Sequence, residues 1–297
     1  MDEYVIEVQG LSRRFGNKTA LSDIDVKVPR GVVLGLVGEN GAGKTTIIKH
    51  LLGLLKAQTG KVSVFGKSPV KDPVGVLGRI GYLSENREMP GWMRINEYIH
   101  YTQAFYPGWD KKYEQELLQE FKLDSIQMIK HLSRGQRAKV GLLTALAYRP
   151  DLLLLDEPSS GLDPVVRRDM LGAIIQTITE EGRTVVLSSH LLDEVEQVAD
   201  IVVMIHAGQV VLSDTMDHIR EEHNRIVVRF ETSQESKPNL PGLLSCSGGP
   251  VEFSCICREN LDALKTSVAG LNGSIVESSS PSLDEIFVAR VKADALN

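Results

Sequence analysis

Between Gly38 and Thr46 the chain reads Gly-Glu-Asn-Gly-Ala-Gly-Lys-Thr-Thr, directly after the β-branched and apolar run Val32–Val37 and directly before a stretch whose apolar residues recur with helical spacing, Thr45–Leu55. Two glycines four residues apart, followed by Lys44 and Thr45, form a phosphate-binding loop between a strand and a helix. Gly38, Gly41 and Gly43 let backbone N–H groups turn inward along Asn40 and Ala42, and the helix that follows offers its positive end to an anion. Lys44 then reaches terminal phosphates, and the Thr45 hydroxyl, beside Thr46, is placed to bind Mg²⁺. A chain with this segment is constrained to an α/β architecture in which a buried strand feeds a helix through a tight turn.

Further strand-sized apolar runs support that architecture. Val5–Val8 and Ile24–Val28 precede the loop, and Ile80–Leu83, Leu152–Leu155, Val185–Leu187 and Ile201–Ile205 alternate with helix-like stretches, which predicts a largely parallel sheet. No strand signal interrupts about 90–148, so this stretch is expected to be a helical subdomain inserted into the core. Eight of the chain's sixteen aromatic residues lie between Tyr82 and Tyr113, and the helical spacing of Tyr98, Tyr101 and Phe105 predicts that they build the core of that subdomain. The texture changes after His223. Ile226–Phe230 resembles a strand, a Ser-, Gly- and Pro-rich stretch follows, and Ser282 with Glu285 forms a capping-box pattern ahead of the apolar stripe Leu283, Ile286, Phe287. Residues 1–222 are therefore expected to form an ATPase-type domain and 223–297 a small α+β domain.

Composition excludes several classes. With 42% apolar and 24% charged residues and a net charge of −6, the chain is neither disordered nor basic enough for sequence-independent nucleic-acid binding, so no nucleic-acid partner is expected. Its longest apolar runs fall far short of the ~20 residues of a membrane-spanning helix. Its first residues lack a secretory pattern, which predicts a cytoplasmic location. Three cysteines, Cys246, Cys255 and Cys257, suit a reducing compartment, and without a second ligand pair they do not make a zinc site.

The strand Leu152–Leu155 ends in Asp156 and Glu157. In a phosphate-loop enzyme, adjacent carboxylates at this point hold Mg²⁺ through the first and polarise attacking water through the second. Beside that pair, Leu132-Ser133-Arg134-Gly135-Gln136 resembles the signature sequence of ATP-binding-cassette (ABC) transporter ATPases, and its order before Asp156 matches the family. Ser160-Gly161-Leu162-Asp163 resembles the family loop that crosses between two ATPase subunits. His190 matches the family histidine at the γ-phosphate, and Phe15 the aromatic that stacks on adenine.

This resemblance covers roughly the first 220 residues and implies the ABC cassette fold, ATP hydrolysis, and ATP with Mg²⁺ as ligands. It assigns the opposite subunit's nucleotide to Ser133, Gly135 and Gln136, with Asp163 in the crossing loop, although Asp163 also reads as a helix cap. Glu85 stands where the family often has Gln, with an expected approach to Mg²⁺ or water, and Arg134 replaces the first signature glycine. The implied partners are a second ATPase subunit, identical or not, and a separate transmembrane permease that supplies all membrane contact at the cytoplasmic face. The Leu-Ser-Arg-Gly-Gln form and the 282–287 tail resemble the multidrug and antibiotic-peptide exporter branch. Trp92 and Met93, in a Pro-Gly-interrupted loop after Glu85, are expected to line the permease docking groove. Soluble ABC ATPases acting on nucleic acid or ribosomes share the nucleotide chemistry and form the alternative, but they carry coiled-coil arms or paired cassettes that this chain lacks.

Overall fold

The structure, a computed structural model, describes residues 4–86, 88–234 and 236–294. Strands β1 (Tyr4–Phe15) and β2 (Lys18–Pro29) form an antiparallel hairpin, and β3 (Val33–Val37) runs through the glycine loop into helix α1 (Lys44–Leu51). Strand β4 (Thr59–Val64) returns to pair with β1, and α2 (Pro73–Leu77) leads to β5 (Ile80–Leu83). Three helices follow: α3 (Ile95–Gln103), α4 (Lys111–Glu120) and α5 (Arg134–Leu146). Strand β6 (Leu152–Asp156), α6 (Pro164–Glu181), β7 (Thr184–Ser189), α7 (Leu192–Val198), β8 (Ile201–His206) and β9 (Gln209–Thr215) complete the alternating pattern.

The chain divides into two compact units, 4–210 and 211–294 of the described residues, so the division falls inside β9 and ahead of the position after 222 expected from texture. A change in residue composition marks the start of a new sheet at His223, whereas compactness also counts the short helix α8 (Met216–Glu222) that precedes it.

In the first unit the main sheet runs in the order β5-β6-β7-β3-β8, all mutually parallel. Every residue of β3, β6 and β7 is buried, as a parallel sheet covered on both faces requires. The early runs Val5–Val8 and Ile24–Val28 belong elsewhere, to a separate antiparallel sheet of order β2-β1-β4. One apolar core joins the two sheets through α1. Ile6, Leu11, Leu21 and Ile24 approach from the antiparallel sheet, Ile47, Ile48 and Leu51 from the helix, and Leu34, Leu36, Leu152, Leu154 and Val203 from the parallel sheet. Each fully buried side chain of this size stabilises the fold by roughly 1.5–3 kcal/mol, so α1 is anchored on both flanks.

The helix is shorter than its apolar spacing suggests. It stops at Leu51 because Gly53 adopts φ 70°, and a Cβ there would lie 2.5 Å from the Pro69 carbonyl oxygen. On the opposite face of β3, Gly35 lets α7 approach: a Cβ at Gly35 would lie 2.1 Å from Val195 Cγ1 and 3.2 Å from Ala199 Cβ.

The stretch between β5 and β6 is helical, as read. Its aromatic residues are arranged differently from the expectation. Tyr101 on α3 and Phe105 just past its end are 52% and 64% exposed and meet edge to face, with ring centroids 5.3 Å apart, so this pair lies outside the core. The subdomain packs instead through Ile95, Ile99, Leu117, Leu118 and Phe121, while Tyr106 stacks on Tyr148 at 3.7 Å. Helical spacing shows which side chains share a face; it does not say which face is buried.

The second unit holds an antiparallel sheet of order β11-β12-β10-β13, formed by β10 (His223–Phe230), β11 (Leu243–Gly248), β12 (Glu252–Arg258) and β13 (Gly273–Ser279). Helix α9 (Leu261–Gly270) covers it with Leu264 and Val268 against Ile226, Val228 and Phe253. Helix α10 (Leu283–Asp294) starts at the anticipated capping box, with Ser282 N–H donating to Glu285 Oε2 at 3.0 Å and Glu285 N–H to Ser282 Oγ at 3.3 Å. Three free thiols are not what the fold produces. Facing residues Cys246 and Cys255 on β11 and β12, with Cα atoms 4.1 Å apart, form a disulfide, and Cys257 is buried.

Candidate nucleotide site

The loop from Gly38 to Gly43 is built on backbone that side chains disfavour. Gly38, Gly41 and Gly43 have φ of 155°, 83° and 120°, and a Cβ on Gly38 would sit 2.2 Å from the Ile205 carbonyl oxygen. Gly43 is the N-cap of α1, so the N–H groups of the first turn, Lys44 to Thr46, point out of the helix without an intrahelical acceptor. That turn and loop floor a cleft of about 380 Å³ lined by Phe15, Lys18, Ala20, Glu39, Asn40, Gly41, Gly43, Lys44, Thr45, Thr46, Glu85 and Glu157. Phe15 stands at one end, 46% exposed, with the Arg13 guanidinium 4.7 Å from its ring centroid. An exposed ring at the mouth of a cleft can accept a flat base on its face.

Lys44 is buried, and its Nζ donates to the Gly38 carbonyl at 2.6 Å and the Glu39 carbonyl at 3.3 Å. The same Nζ lies 3.0 Å from Glu157 Oε1, a buried ion pair at the meeting point of the glycine loop and β6. Glu157 Oε2 accepts from His190 Nδ1 at 2.6 Å. Glu157 also departs from strand geometry, with φ 50°, so its side chain swings away from that of Asp156 while its N–H still reaches the Ser188 carbonyl at 2.9 Å. Sheet order explains the convergence: β7, which ends at Ser189 directly before His190, lies between β3 and β6.

Asp156 is 1% exposed and accepts from Thr45 Oγ1 at 3.1 Å. Burial raises its pKa, opposed by the hydrogen bond from Thr45 and the neighbouring Ser188 hydroxyl and reinforced by the charges of Glu157 and Glu85. A carboxylate held in this way, beside a hydroxyl and two more carboxylates, suits a hard divalent cation with oxygen ligands, so the donor set fits Mg²⁺.

Not every residue expected at the nucleotide gathers here. Ser133, Gly135 and Gln136 lie outside the cleft that Lys44 lines. Ser133 caps α5 with its Oγ accepting from Gln136 N–H at 3.2 Å, while Gln136 Oε1 accepts from Ser133 N–H at 3.0 Å. Thus the Gln136 side chain is engaged in a capping box. A second cleft, of about 440 Å³, brings Arg134 and Arg137 of α5 together with Ser160, Gly161, Asn86 and Glu85. Arg134 lies against the crossing loop: a Cβ on Gly161 would be 3.1 Å from its Nη1. Glu85 is exposed and borders both clefts. Asp163 caps α6, its Oδ1 accepting from Val165 and Val166 N–H, each at 3.1 Å. Trp92 is 71% exposed and Met93 half-buried.

Sequence reasoning passed over Lys18, Ala20 and Ser188. Ser188 was detectable in principle, since it sits opposite Asp156 once β6 and β7 are paired.

Comparison with known proteins identifies the family. Residues 21–160 match the family described as ABC transporter. The bacitracin transport ATP-binding protein BcrA of Bacillus licheniformis is 32% identical over 238 residues, spanning 78% of this chain and 76% of that protein. The daunorubicin resistance ATP-binding protein DrrA3 of Streptomyces coeruleorubidus is 31% identical over 97% of this chain and 96% of its own length. Among solved structures, an ATP-binding subunit of an ABC transporter superposes with a TM-score of 0.67 at 31% identity, covering 73% of this chain and 92% of that one. A dimeric ATP-binding cassette in a post-hydrolysis state with ADP and Pi shares the fold, with a TM-score of 0.64 at 20% identity over 71% of this chain and 98% of that one.

Proposed function

This chain belongs to the ATP-binding subunits of ABC transporters, and from that membership we propose that it powers an exporter of drug- or antibiotic-like molecules, working as one of two ATPase subunits against a separate transmembrane permease. ATP hydrolysis is the activity of the family, and the alternative of a soluble ATPase acting on nucleic acid is not favoured by the relatives. The observation that carries the site reading is the buried Lys44–Glu157 pair with His190 on the far carboxylate oxygen.

In this reading the γ-phosphate competes with Glu157 for Lys44. Lys44 exchanges its ion-pair partner for the phosphate, and Glu157, still held by His190, is left as an ionised carboxylate facing the attacking water. His190 then fixes the carboxylate's orientation and contacts the γ-phosphate. Thr45, Asp156 and Glu85 are the residues that would hold Mg²⁺, and the ion would supply positive charge toward the terminal phosphates. Phe15 takes the adenine, and backbone N–H groups of Gly41 to Thr46 take the phosphates.

Ser133, Gly135 and Gln136 at the start of α5 serve the nucleotide of the opposite subunit, which accounts for their position away from the Lys44 cleft. Asp163 shapes the loop that crosses between subunits. Residues 1–222 form the motor and 223–297 an accessory domain, with exposed Trp92 and half-buried Met93 at the permease groove on the cytoplasmic face of the membrane. No helix among the described residues is long and apolar enough to cross a membrane.

The test has two parts. ATPase activity per mole of protein is expected to rise with protein concentration as two half-sites combine. The chain extracted from its host membrane is expected to co-purify with a polypeptide bearing several ~20-residue apolar spans, and Trp92→Ala to weaken that association while basal hydrolysis persists. A concentration-independent rate, or recovery of the chain without any such polypeptide, would overturn the reading.

A further inference from the structure

Glu194 is 1% exposed, as buried as Asp156, yet the chemistry above gives it no task. Its Oε2 accepts from Ser159 Oγ at 2.5 Å, and its Oε1 lies 2.9 Å from Arg167 Nε. The three residues come from three places that matter. Ser159, 2% exposed, lies two residues after Glu157 in the loop that ends at Asp163. Arg167 stands in the first turn of α6, which that loop opens, and its N–H bonds the Asp163 carbonyl at 3.0 Å. Glu194 is in the first turn of α7, which begins two residues after His190.

We propose that Glu194 is a positioning residue: it holds the crossing loop at Ser159 and Arg167 in fixed register with His190, so that the loop presented to the second subunit moves with the group at the γ-phosphate. This role rests on the two-subunit reading above. The loop is a compact turn, with Ser160 N–H on the Glu157 carbonyl at 3.2 Å and Leu162 N–H on the Ser159 carbonyl at 3.1 Å. It turns at two residues of positive φ, Glu157 at 50° where it starts and Gly161 at 70° within it. A turn with its own internal bonds behaves as a small rigid piece, and its orientation is set by what grips it from outside.

Within it Ser159 is buried and hydrogen-bonded to Glu194, while Gly161 and Asp163 are exposed. Burial pushes the pKa of Glu194 up, and the Ser159 hydrogen bond and the Arg167 charge oppose that shift. An apolar side chain of similar volume would fill the space without desolvating a carboxylate, so the acid contributes direction rather than packing.

The experiment uses the full chain carrying Ser159→Ala, Glu194→Gln, both changes together, and Ser159→Thr. Measured for each are kcat, the KM for ATP, the protein concentration giving half-maximal rate, and the melting temperature. Ser159→Ala and Glu194→Gln are each expected to lower kcat by roughly threefold to thirtyfold, the range of coupling through a packed network, with KM for ATP within about twofold of wild type. The half-maximal protein concentration should rise, Ser159→Thr should restore the rate, and the double variant should be no slower than the slower single one.

Rates within twofold of wild type for both single variants would overturn the role, as would losses that multiply in the double variant. So would a lowered rate explained wholly by the unfolded fraction at the assay temperature. If wild-type activity per mole rises with concentration while the variants follow the same curve, Glu194 alone loses its role. If the wild-type curve is flat, the two-subunit reading falls, and the positioning role falls with it.

Discussion

Replacing Glu157 with Gln tests whether one carboxylate both neutralises Lys44 and activates water. The substitution keeps size and one acceptor oxygen, turns the other into an N–H donor, and removes a charge that sits 3.0 Å from Lys44 Nζ and 2.6 Å from His190 Nδ1. Loss of a general base slows turnover by roughly 10²- to 10⁴-fold, equivalent to about 2.7–5.4 kcal/mol in the barrier. The effect on the free protein has a different size. Lys44 is left buried, but the Gly38 and Glu39 carbonyls remain within 2.6 and 3.3 Å, so it is not stranded. A cost of about 1–3 kcal/mol is expected, below that of a buried charge with no partner.

Nucleotide should reverse that cost. In the variant Lys44 no longer has to leave a carboxylate to meet a phosphate, so ATP affinity should match or exceed that of the wild type. The assays are steady-state phosphate release, calorimetric titration with MgATP, and melting with and without nucleotide. The expected pattern is lost turnover, retained binding, and a melting deficit that disappears when ATP is added. Unchanged turnover would remove Glu157 from the chemistry, and a joint loss of binding and hydrolysis would show that the pair is structural.

Lys44→Ala should abolish ATP binding as well as hydrolysis, because the cation that neutralises the terminal phosphate is gone; calorimetric titration separates it from Glu157→Gln. Arg134→Gly should leave hydrolysis within about threefold in a phosphate-release assay, since the side chain lies over Gly161 and the Ser133 cap of α5 is unchanged. Gly35→Ala places a methyl 2.1 Å from Val195 Cγ1, and Val195, β-branched on a helix, has little rotamer freedom to yield. Overpacking should cost about 1–3 kcal/mol and lower the melting temperature by about 2–4 °C per kcal/mol, with Val195→Ala restoring it.

The legible parts of this molecule were those written in contiguous residues. The glycine loop, the Leu152–Asp156 strand and the Ser282 capping box each sit within a short window, where residue type and local conformation determine one another. What escaped depends on residues that meet only after folding. Val5–Val8 and Val33–Val37 look alike as apolar runs, yet one is half of an antiparallel hairpin and the other the centre of the parallel sheet, because strand pairing is decided by the connections between strands.

Tyr101 and Phe105 were expected in the subdomain core and lie exposed, since spacing carries no information about what packs opposite or where the helix ends. Cys246 and Cys255 are nine residues apart, and only the β11–β12 register sets them face to face. Glu194 gave no signal, as its partners lie 35 and 27 positions upstream, at Ser159 and Arg167.

The position of β7 between β3 and β6 has one more consequence. Neighbouring strands are held about 4.8 Å apart by backbone hydrogen bonds, so the sheet acts as a ruler whose marks do not depend on side chains. The phosphate cradle leaves from one mark, His190 from the next and Asp156 with Glu157 from the third, roughly 10 Å across from first to last. Substitutions elsewhere can tilt or release whatever stands beyond the strand ends, but they cannot change the spacing of these three attachment points without breaking the ladder itself. Regulation of such a site must therefore act on timing, through the loops beyond the strand ends, and leave its gauge constant.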